Sequence, residues 1–176
     1  MEEEKIQNTE KPLEITVTIP TQAYFLSGIR DFILNFTKNV TGFSDQWAFR
    51  FQAVVDELCN NAIEHGSAAG QTIEIVVAYT PSKYLEVFVK DNGSGTSKMT
   101  AKQMTDLFKE RVHMTSGEYL GFRGRGLPKI VGEWTDEVVF EDKEGGGLVV
   151  RAKKYLRKED EEVSSLVNDP THLILK

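Results

Sequence analysis

Three polar side chains recur at every fourth position in the middle of the chain, and their types can bind a hard cation or move a proton. Glu57, Asn61 and His65 have the spacing i, i+4, i+8, which aligns them on one flank of an α-helix beside its apolar stripe. An amide oxygen can ligate Mg²⁺, and a carboxylate can accept a proton. The row therefore suits a pocket wall, although taken alone it also fits a solvated helix edge.

A carboxylate followed by closely spaced glycines forms the second candidate motif. The segment Asp91-Asn-Gly-Ser-Gly95 comes directly after a strand-like run. Its glycines, Gly93 and Gly95, allow the backbone to approach a ligand closely. Alone, such a segment is typical of a turn, so its function depends on what surrounds it.

A glycine-rich loop at the start of a predicted helix forms the third motif. It contains Arg123, Gly124, Arg125, Gly126 and Leu127, and the proline that follows suits a first helical turn. Backbone N–H groups at a helix N-terminus bind phosphates, and an arginine can neutralise charge during phosphoryl transfer. Alone, the two arginines also fit an exposed surface.

The elements that must position these motifs follow from apolar periodicity. The predicted strands are 13–19, 72–79, 84–90, 136–141 and 147–154, and the predicted helices are 21–39 with Thr21 as its cap, 45–65, 101–112 and 128–134. Residues 96–122 are otherwise irregular and are expected to form a functional lid. Antiparallel hairpins with one apolar face need helices to cover that face. We therefore expect an α+β two-layer sandwich, with a mixed, mostly antiparallel sheet covered on one face by helices.

Length and charge limit the domain organisation and the kinds of partner. The 176 residues suffice for one domain, predicted at 13–156 between a flexible N-terminal tail, 1–12, and a charged C-terminal tail, 157–176. The net charge of −6 argues against direct nucleic-acid binding. The single cysteine, Cys59, can form no disulfide within the chain, which favours the cytoplasm. No apolar run has the roughly 20 residues that a membrane span needs.

The order of the three motifs resembles the GHKL ATP-binding superfamily, and most closely its bacterial anti-sigma factor serine/threonine kinases. The segment from Glu57 to Gly66 resembles the N box, Asp91 to Gly95 the G1 box, and Gly124 to Leu127 the G2 box. The sequence contains neither a P-loop motif nor the ligand spacing of a zinc site. The resemblance covers about 13–154 and implies the Bergerat-type fold, with ATP and Mg²⁺ as ligands.

The resemblance also implies a role for each candidate residue. Asn61 would ligate Mg²⁺, and Glu57 would accept the proton of an attacking hydroxyl. Asp91 would accept a hydrogen bond from the adenine amino group. Arg30 corresponds to a family arginine that contacts partners. The other nucleotide contacts would come from His65 at the pocket edge and from Gly93, Gly95, Arg123, Gly124, Arg125, Gly126 and Leu127.

Two functions are consistent with this resemblance. A kinase of this type would sequester a sigma factor, phosphorylate a serine or threonine of a STAS-type anti-anti-sigma factor, and dimerise through its sheet. The alternative is a non-catalytic, ATP-dependent protein-binding module. Leu148 and the charged C-terminal tail leave room for it, since family members often carry a threonine after the glycine at 147. A histidine-kinase catalytic domain is less favoured, because neither His113 nor His172 lies on a predicted long helical hairpin.

Overall fold

The computed structural model describes residues 12–96, 99–112 and 127–160. The strands in these ranges are β1 (Leu13–Pro20), β2 (Thr72–Thr80), β3 (Tyr84–Lys90), β4 (Glu137–Asp142) and β5 (Leu148–Tyr155). The α-helices are α1 (Leu26–Val40), α2 (Asp45–Asn61), α3 (Ala101–Val112) and the short α4 (Gly132–Trp134). Two π-helical turns, Ala62–Gly66 and Leu127–Val131, and two 3₁₀ turns, Ala23–Phe25 and Lys158–Asp160, complete the described elements.

The five strands form one sheet in the order β1-β2-β3-β5-β4. Every neighbouring pair among the described strands is antiparallel. The register aligns apolar side chains across the whole sheet, because alternate residues of each strand point to the same face. One such row consists of Val17, Ile75, Val89, Val150 and Phe140.

The helices α1 and α2 cover that apolar face. Both have buried residues at helical spacing, which form a continuous core with the sheet: Ile29, Ile33 and Phe36 on α1, and Val54, Val55 and Leu58 on α2. A helix and a sheet that each have one apolar face are stable only when those faces meet. The predicted α+β two-layer sandwich is confirmed, with the difference that the described pairings are all antiparallel and not mixed.

The start of the first helix differs from the prediction. Thr21 does not cap it, because its hydroxyl donates to the carbonyl oxygens of Ala68, at 2.9 Å, and Gln71, at 3.2 Å. These bonds hold the end of β1 against the loop before β2, so α1 begins only at Leu26, after a 3₁₀ turn. The central helix α2 is capped by Ser44, whose hydroxyl accepts from the backbone N–H of the third residue beyond it.

The described segment after β5, residues 156–160, packs against the domain. Residues 157–160 are predicted to belong to the charged tail, but Asp160 is buried and its carbonyl oxygen accepts from Ser44 N at 2.8 Å. The Lys154 ammonium lies 3.1 Å from the Asp160 carboxylate. Residues 1–11 and 161–176 of the predicted tails lie outside the described residues. In the part of the chain that the structure describes, no helix has the length and apolar character to cross a membrane.

Candidate functional site

A cavity of about 560 Å³ lies between the end of α2, the inner side of α3 and the adjoining ends of β3 and β5. This volume is in the usual range for a small-molecule site. Its walls are mainly apolar and include Leu58, Val89, Met104, Leu107, Phe108 and Val150. Polar groups occur at particular positions around these walls, so the cavity can bind a flat apolar ligand and fix its orientation.

The end of α2 forms one side of this cavity. After Asn61 the backbone continues as a π-helical turn, Ala62–Gly66, a distortion that is frequent at functional sites. The turn places His65 and Gly66 on the cavity wall. A Cβ atom at Gly66 would lie 2.4 Å from Asp91 Oδ2, so only a glycine allows the helix end to approach that carboxylate so closely.

Asn61 and Glu57 form a hydrogen-bonded pair on α2. The amide nitrogen of Asn61 donates to Glu57 Oε1 at 2.8 Å and to the Glu57 carbonyl oxygen at 2.7 Å. The amide oxygen of Asn61 is thereby left to accept or to ligate. Asn61 lines the cavity. Glu57 is not part of the lining but is hydrogen-bonded to Asn61. The structure therefore brings together the two residues to which the resemblance gave the metal and proton roles.

Asp91 lies at the end of the cavity where β3 stops, and it is 8% exposed. Its Oδ1 accepts from Gly93 N at 2.8 Å and from Leu148 N at 3.1 Å. Burial raises the pKa of the Asp91 carboxyl, an effect opposed by these two hydrogen bonds and by the charge of Lys143. Among the described residues, none donates a hydrogen bond to Oδ2. This oxygen is an acceptor available to a ligand.

The two glycines of the Asp91 loop have different contacts. Gly93 has a φ of +68°, and a Cβ atom there would lie 2.4 Å from Gly147 N, so it allows the loop to contact the turn between β4 and β5. Gly93 lines the cavity, and Gly95 lies outside its lining. A Cβ atom at Gly95 would lie 2.1 Å from the carbonyl oxygen of His65. Gly95 therefore brings the loop against the π-helical turn, and its contact with the base stays a prediction.

The other predicted site residues are only partly described. Leu127 lines the cavity, whereas Arg123, Gly124, Arg125 and Gly126 lie outside the described residues. His113 and His172 also lie outside them. Arg30 is not part of the cavity wall: its guanidinium pairs with Asp56 on α2 at 2.8 Å, and its side chain remains 41% exposed.

Several cavity residues were not identified from the sequence. Lys143 donates to the carbonyl oxygen of Asp91, and its neighbour Asp142 accepts from Ala101 N, at the start of α3, at 2.8 Å. One sequence signal was available for α3, because its cavity-facing residues have the spacing i, i+3, i+4, i+7. They are Met104, Leu107, Phe108 and Arg111. Nothing in the sequence distinguished Lys143 from an ordinary turn lysine.

The polar groups fit a purine nucleotide with a bound divalent cation. The acceptor Asp91 Oδ2 is at the end of an apolar cavity, where a base amino group can donate to it. The amide oxygen of Asn61, on another wall, is a hard ligand suited to Mg²⁺ shared with phosphate oxygens. An apolar slot with an acceptor at one end and a metal ligand elsewhere on its wall can hold a base and a polyphosphate together.

Comparison with known proteins agrees with this geometry. No curated protein matches the chain. The family model of the histidine kinase-like ATPase domain matches residues 19–154. This range includes β2, β3 and β4, the last two residues of β1 and all but the last residue of β5. The match confirms the superfamily that the order of the three motifs indicated. The chain belongs to the histidine kinase-like ATPase domain family.

Proposed function

We propose that the protein is an ATP-binding anti-sigma factor with serine/threonine protein kinase activity. It would sequester a sigma factor and transfer the γ-phosphoryl group of ATP to a STAS-type anti-anti-sigma factor. The observation that carries this proposal is the hydrogen bond between Asn61 and Glu57 at the edge of the cavity. Nucleotide binding alone requires no carboxylate one turn before the metal ligand, whereas phosphoryl transfer from ATP to a hydroxyl benefits from a proton acceptor there.

Asp91 and the apolar walls support ATP as the nucleotide. Asp91 Oδ2 accepts from the 6-amino group of adenine, and its position is fixed by the two backbone N–H groups that hold Oδ1. The aromatic and aliphatic side chains of α3 pack against the faces of the base. An acceptor that is immobilised before the ligand arrives costs less ordering free energy on binding than a mobile one.

The position of Asn61 supports the proposal that Mg²⁺ binds together with the phosphates. Its amide nitrogen is engaged by Glu57, so its oxygen is the atom presented to a cation. Mg²⁺ usually binds through one or two protein oxygens together with phosphate oxygens and waters. When bound, the ion supplies positive charge that neutralises the phosphates.

In this proposal Glu57 acts as the general base. One carboxylate oxygen is held by the Asn61 amide, which leaves the other to accept the proton of a substrate serine or threonine. In the transfer, the hydroxyl oxygen bonds to the γ-phosphorus and the bond to the bridging β–γ oxygen breaks. The proton passes to Glu57 and ADP is the leaving group.

As part of the same proposal, two surfaces outside the cavity contact partner proteins. Arg30 is half-exposed on α1, and its ion pair with Asp56 lies one residue from Glu57, which suits a contact with the sigma factor or its antagonist. The face of the sheet opposite α1 and α2 has Val76, Phe88 and Val139 in one row, with Arg151 between Phe88 and Val139, and it is the face proposed to contact a second copy of the chain. A sigma factor and its antagonist as partners would imply a cytoplasmic location.

A transfer assay tests the kinase proposal. The protein is incubated with γ-labelled ATP and a candidate STAS protein, and label on the STAS protein is measured. Glu57→Gln should lower the rate of transfer at least about 100-fold and leave ATP affinity within about threefold. Glu110→Gln, which changes an exposed carboxylate on α3, is the matched control and should transfer normally. Unchanged transfer in Glu57→Gln would rule out its role as the base, and ATP binding without transfer to any candidate would favour the non-catalytic module.

A further inference from the structure

A lysine in the turn between β4 and β5 reaches the base end of the cavity. The ammonium group of Lys143 donates to the carbonyl oxygen of Asp91, and Lys143 is part of the cavity wall. Its own backbone is fixed, because Lys143 N donates to Gly147 O at 2.9 Å and its carbonyl oxygen accepts from Gly146 N at 3.0 Å. The ammonium group is therefore held beside the residue expected to recognise adenine.

Leu148, the first residue of β5, brings no polar side chain to this end of the cavity. The hydrogen bonds of Leu148 with Asp91 come from its backbone: its N–H donates to Asp91 Oδ1 and its carbonyl oxygen accepts from Asp91 N. Its side chain is aliphatic and adds apolar wall. At this end of the described cavity, Asp91 Oδ2 is the available acceptor and Lys143 Nζ is the adjacent donor.

This pair of groups matches one edge of adenine. The edge farthest from the ribose-bearing nitrogen presents the 6-amino group, a donor, next to N1, an acceptor. A lysine ammonium has three N–H donors, of which the Asp91 carbonyl oxygen takes one. The other N–H groups remain for a ligand atom.

We propose that Lys143 is a base-specificity residue, whose ammonium donates to N1 of adenine while Asp91 Oδ2 accepts from the 6-amino group. The inference rests on the proposed ATP binding and adds a hydrogen bond from the Lys143 ammonium to N1 of adenine. It does not depend on phosphoryl transfer, so it holds for a kinase and for a non-catalytic binder alike.

The test combines two variants of the full chain with two ATP analogues. In 1-deaza-ATP the N1 acceptor is replaced by C–H, and in 7-deaza-ATP N1 is kept and N7 is replaced. Lys143→Met keeps the aliphatic stem and removes the ammonium. Lys83→Met is the matched control, since Lys83 occupies the turn at the opposite end of β3 and is exposed. Dissociation constants are measured by calorimetry for each combination.

The loss of affinity caused by replacing N1 should depend on the presence of Lys143. The unchanged protein and Lys83→Met should bind 1-deaza-ATP about tenfold more weakly than ATP, as expected for loss of a charge-assisted hydrogen bond. Lys143→Met should bind the two with affinities within about twofold. 7-Deaza-ATP should show no dependence on Lys143. Lys143→Arg, which keeps a cationic donor, should recover part of the discrimination.

Three results would overturn the assignment while leaving ATP binding in place. They are equal binding of ATP and 1-deaza-ATP by the unchanged protein, an equal loss for every nucleotide in Lys143→Met, and coupling to N7 in place of N1. The first needs no variant, so it decides the question even if Lys143→Met does not fold. Failure of the unchanged protein to bind ATP at all would instead refute the proposed function, and the Lys143 contact with it.

Discussion

Gly66 and Asp91 lie so close that a single methyl group at position 66 would collide with the carboxylate. A Cβ atom there would be 2.4 Å from Asp91 Oδ2 and 2.5 Å from its Cγ. The contact links the π-helical turn that follows α2 and Asn61 to the end of β3, where Asp91 is the proposed adenine acceptor. The proposed metal end and the proposed base end of the site are thus joined by this close packing of Gly66 against Asp91.

The first prediction follows from this contact. Gly66→Ala should displace the Asp91 carboxylate and weaken ATP binding at least about tenfold, with a loss of stability of about 1–3 kcal/mol from overpacking. Gly28→Ala is the control, because a Cβ atom at Gly28 would meet nothing within 4 Å. In α1 that change should stabilise the protein by up to about 1 kcal/mol. Calorimetric titration and urea denaturation measure both effects, and normal ATP affinity in Gly66→Ala would contradict the account.

The second prediction concerns the polarity of the base contact. In Asp91→Asn, the amide oxygen can take the place of Oδ1 and accept from Gly93 and Leu148. The amide nitrogen then occupies the place of Oδ2 and presents a donor to the 6-amino group, which is also a donor. ATP affinity should fall about 10- to 100-fold, with the far-ultraviolet circular dichroism unchanged. An affinity within about twofold of the original would show that Asp91 does not contact the base.

The third prediction is a pH dependence of stability. Because burial raises the pKa of Asp91 in the folded state, the folded protein binds more protons than the unfolded one between the ordinary carboxyl value and the raised value. The stability contributed by protonated Asp91 is therefore lost as the pH rises through that window. Measured without nucleotide, the stability of the original protein relative to Asp91→Asn should fall across it. A difference that stayed constant, or grew with pH, would contradict the assigned shift.

The fourth prediction concerns an ion cluster away from the cavity. The Lys154 ammonium is 3% exposed and lies 3.3 Å from Asp136, 3.1 Å from Asp160 and 4.4 Å from the centre of the Trp47 ring. Asp160→Ala leaves this buried cation with one carboxylate fewer, which should destabilise the protein by about 3 kcal/mol.

Two further variants test the cause of that destabilisation, with the free energy of unfolding of each measured by urea denaturation. Glu159→Gln changes an exposed neighbour and should have little effect. The double variant Asp160→Ala with Lys154→Met removes both charges and should recover most of the loss, since an apolar replacement of a buried pair is often tolerated. Equal destabilisation by Glu159→Gln, or no recovery in the double variant, would show that the buried charge is not the cause.

The sequence predicted the features that depend on local periodicity. Alternation along β1 and β3 and the apolar stripe of α2 are properties of neighbouring residues, so the sandwich and the flank that carries Glu57 and Asn61 could be deduced from them. The position of Asp91 at a strand end followed in the same way. These features required no knowledge of which distant segments meet.

The features that the sequence did not predict depend on tertiary contacts. Thr21 is a good helix cap by type, but the loop before β2 takes its hydroxyl. Lys143 reaches the cavity because the turn that carries it folds back through three consecutive glycines with positive φ, Gly145 to Gly147. The direction of its side chain is therefore set by the turn and by Asp91, which lies 52 residues earlier in the chain.

The most direct test of the whole account is a crystal structure of the full chain with ADP and Mn²⁺ in place of Mg²⁺. The adenine amino group should lie within hydrogen-bonding distance of Asp91 Oδ2. An anomalous peak from the metal should lie at the usual ligand distance of about 2.2 Å from the amide oxygen of Asn61. A nucleotide bound elsewhere, or a metal peak that does not contact Asn61, would contradict the account.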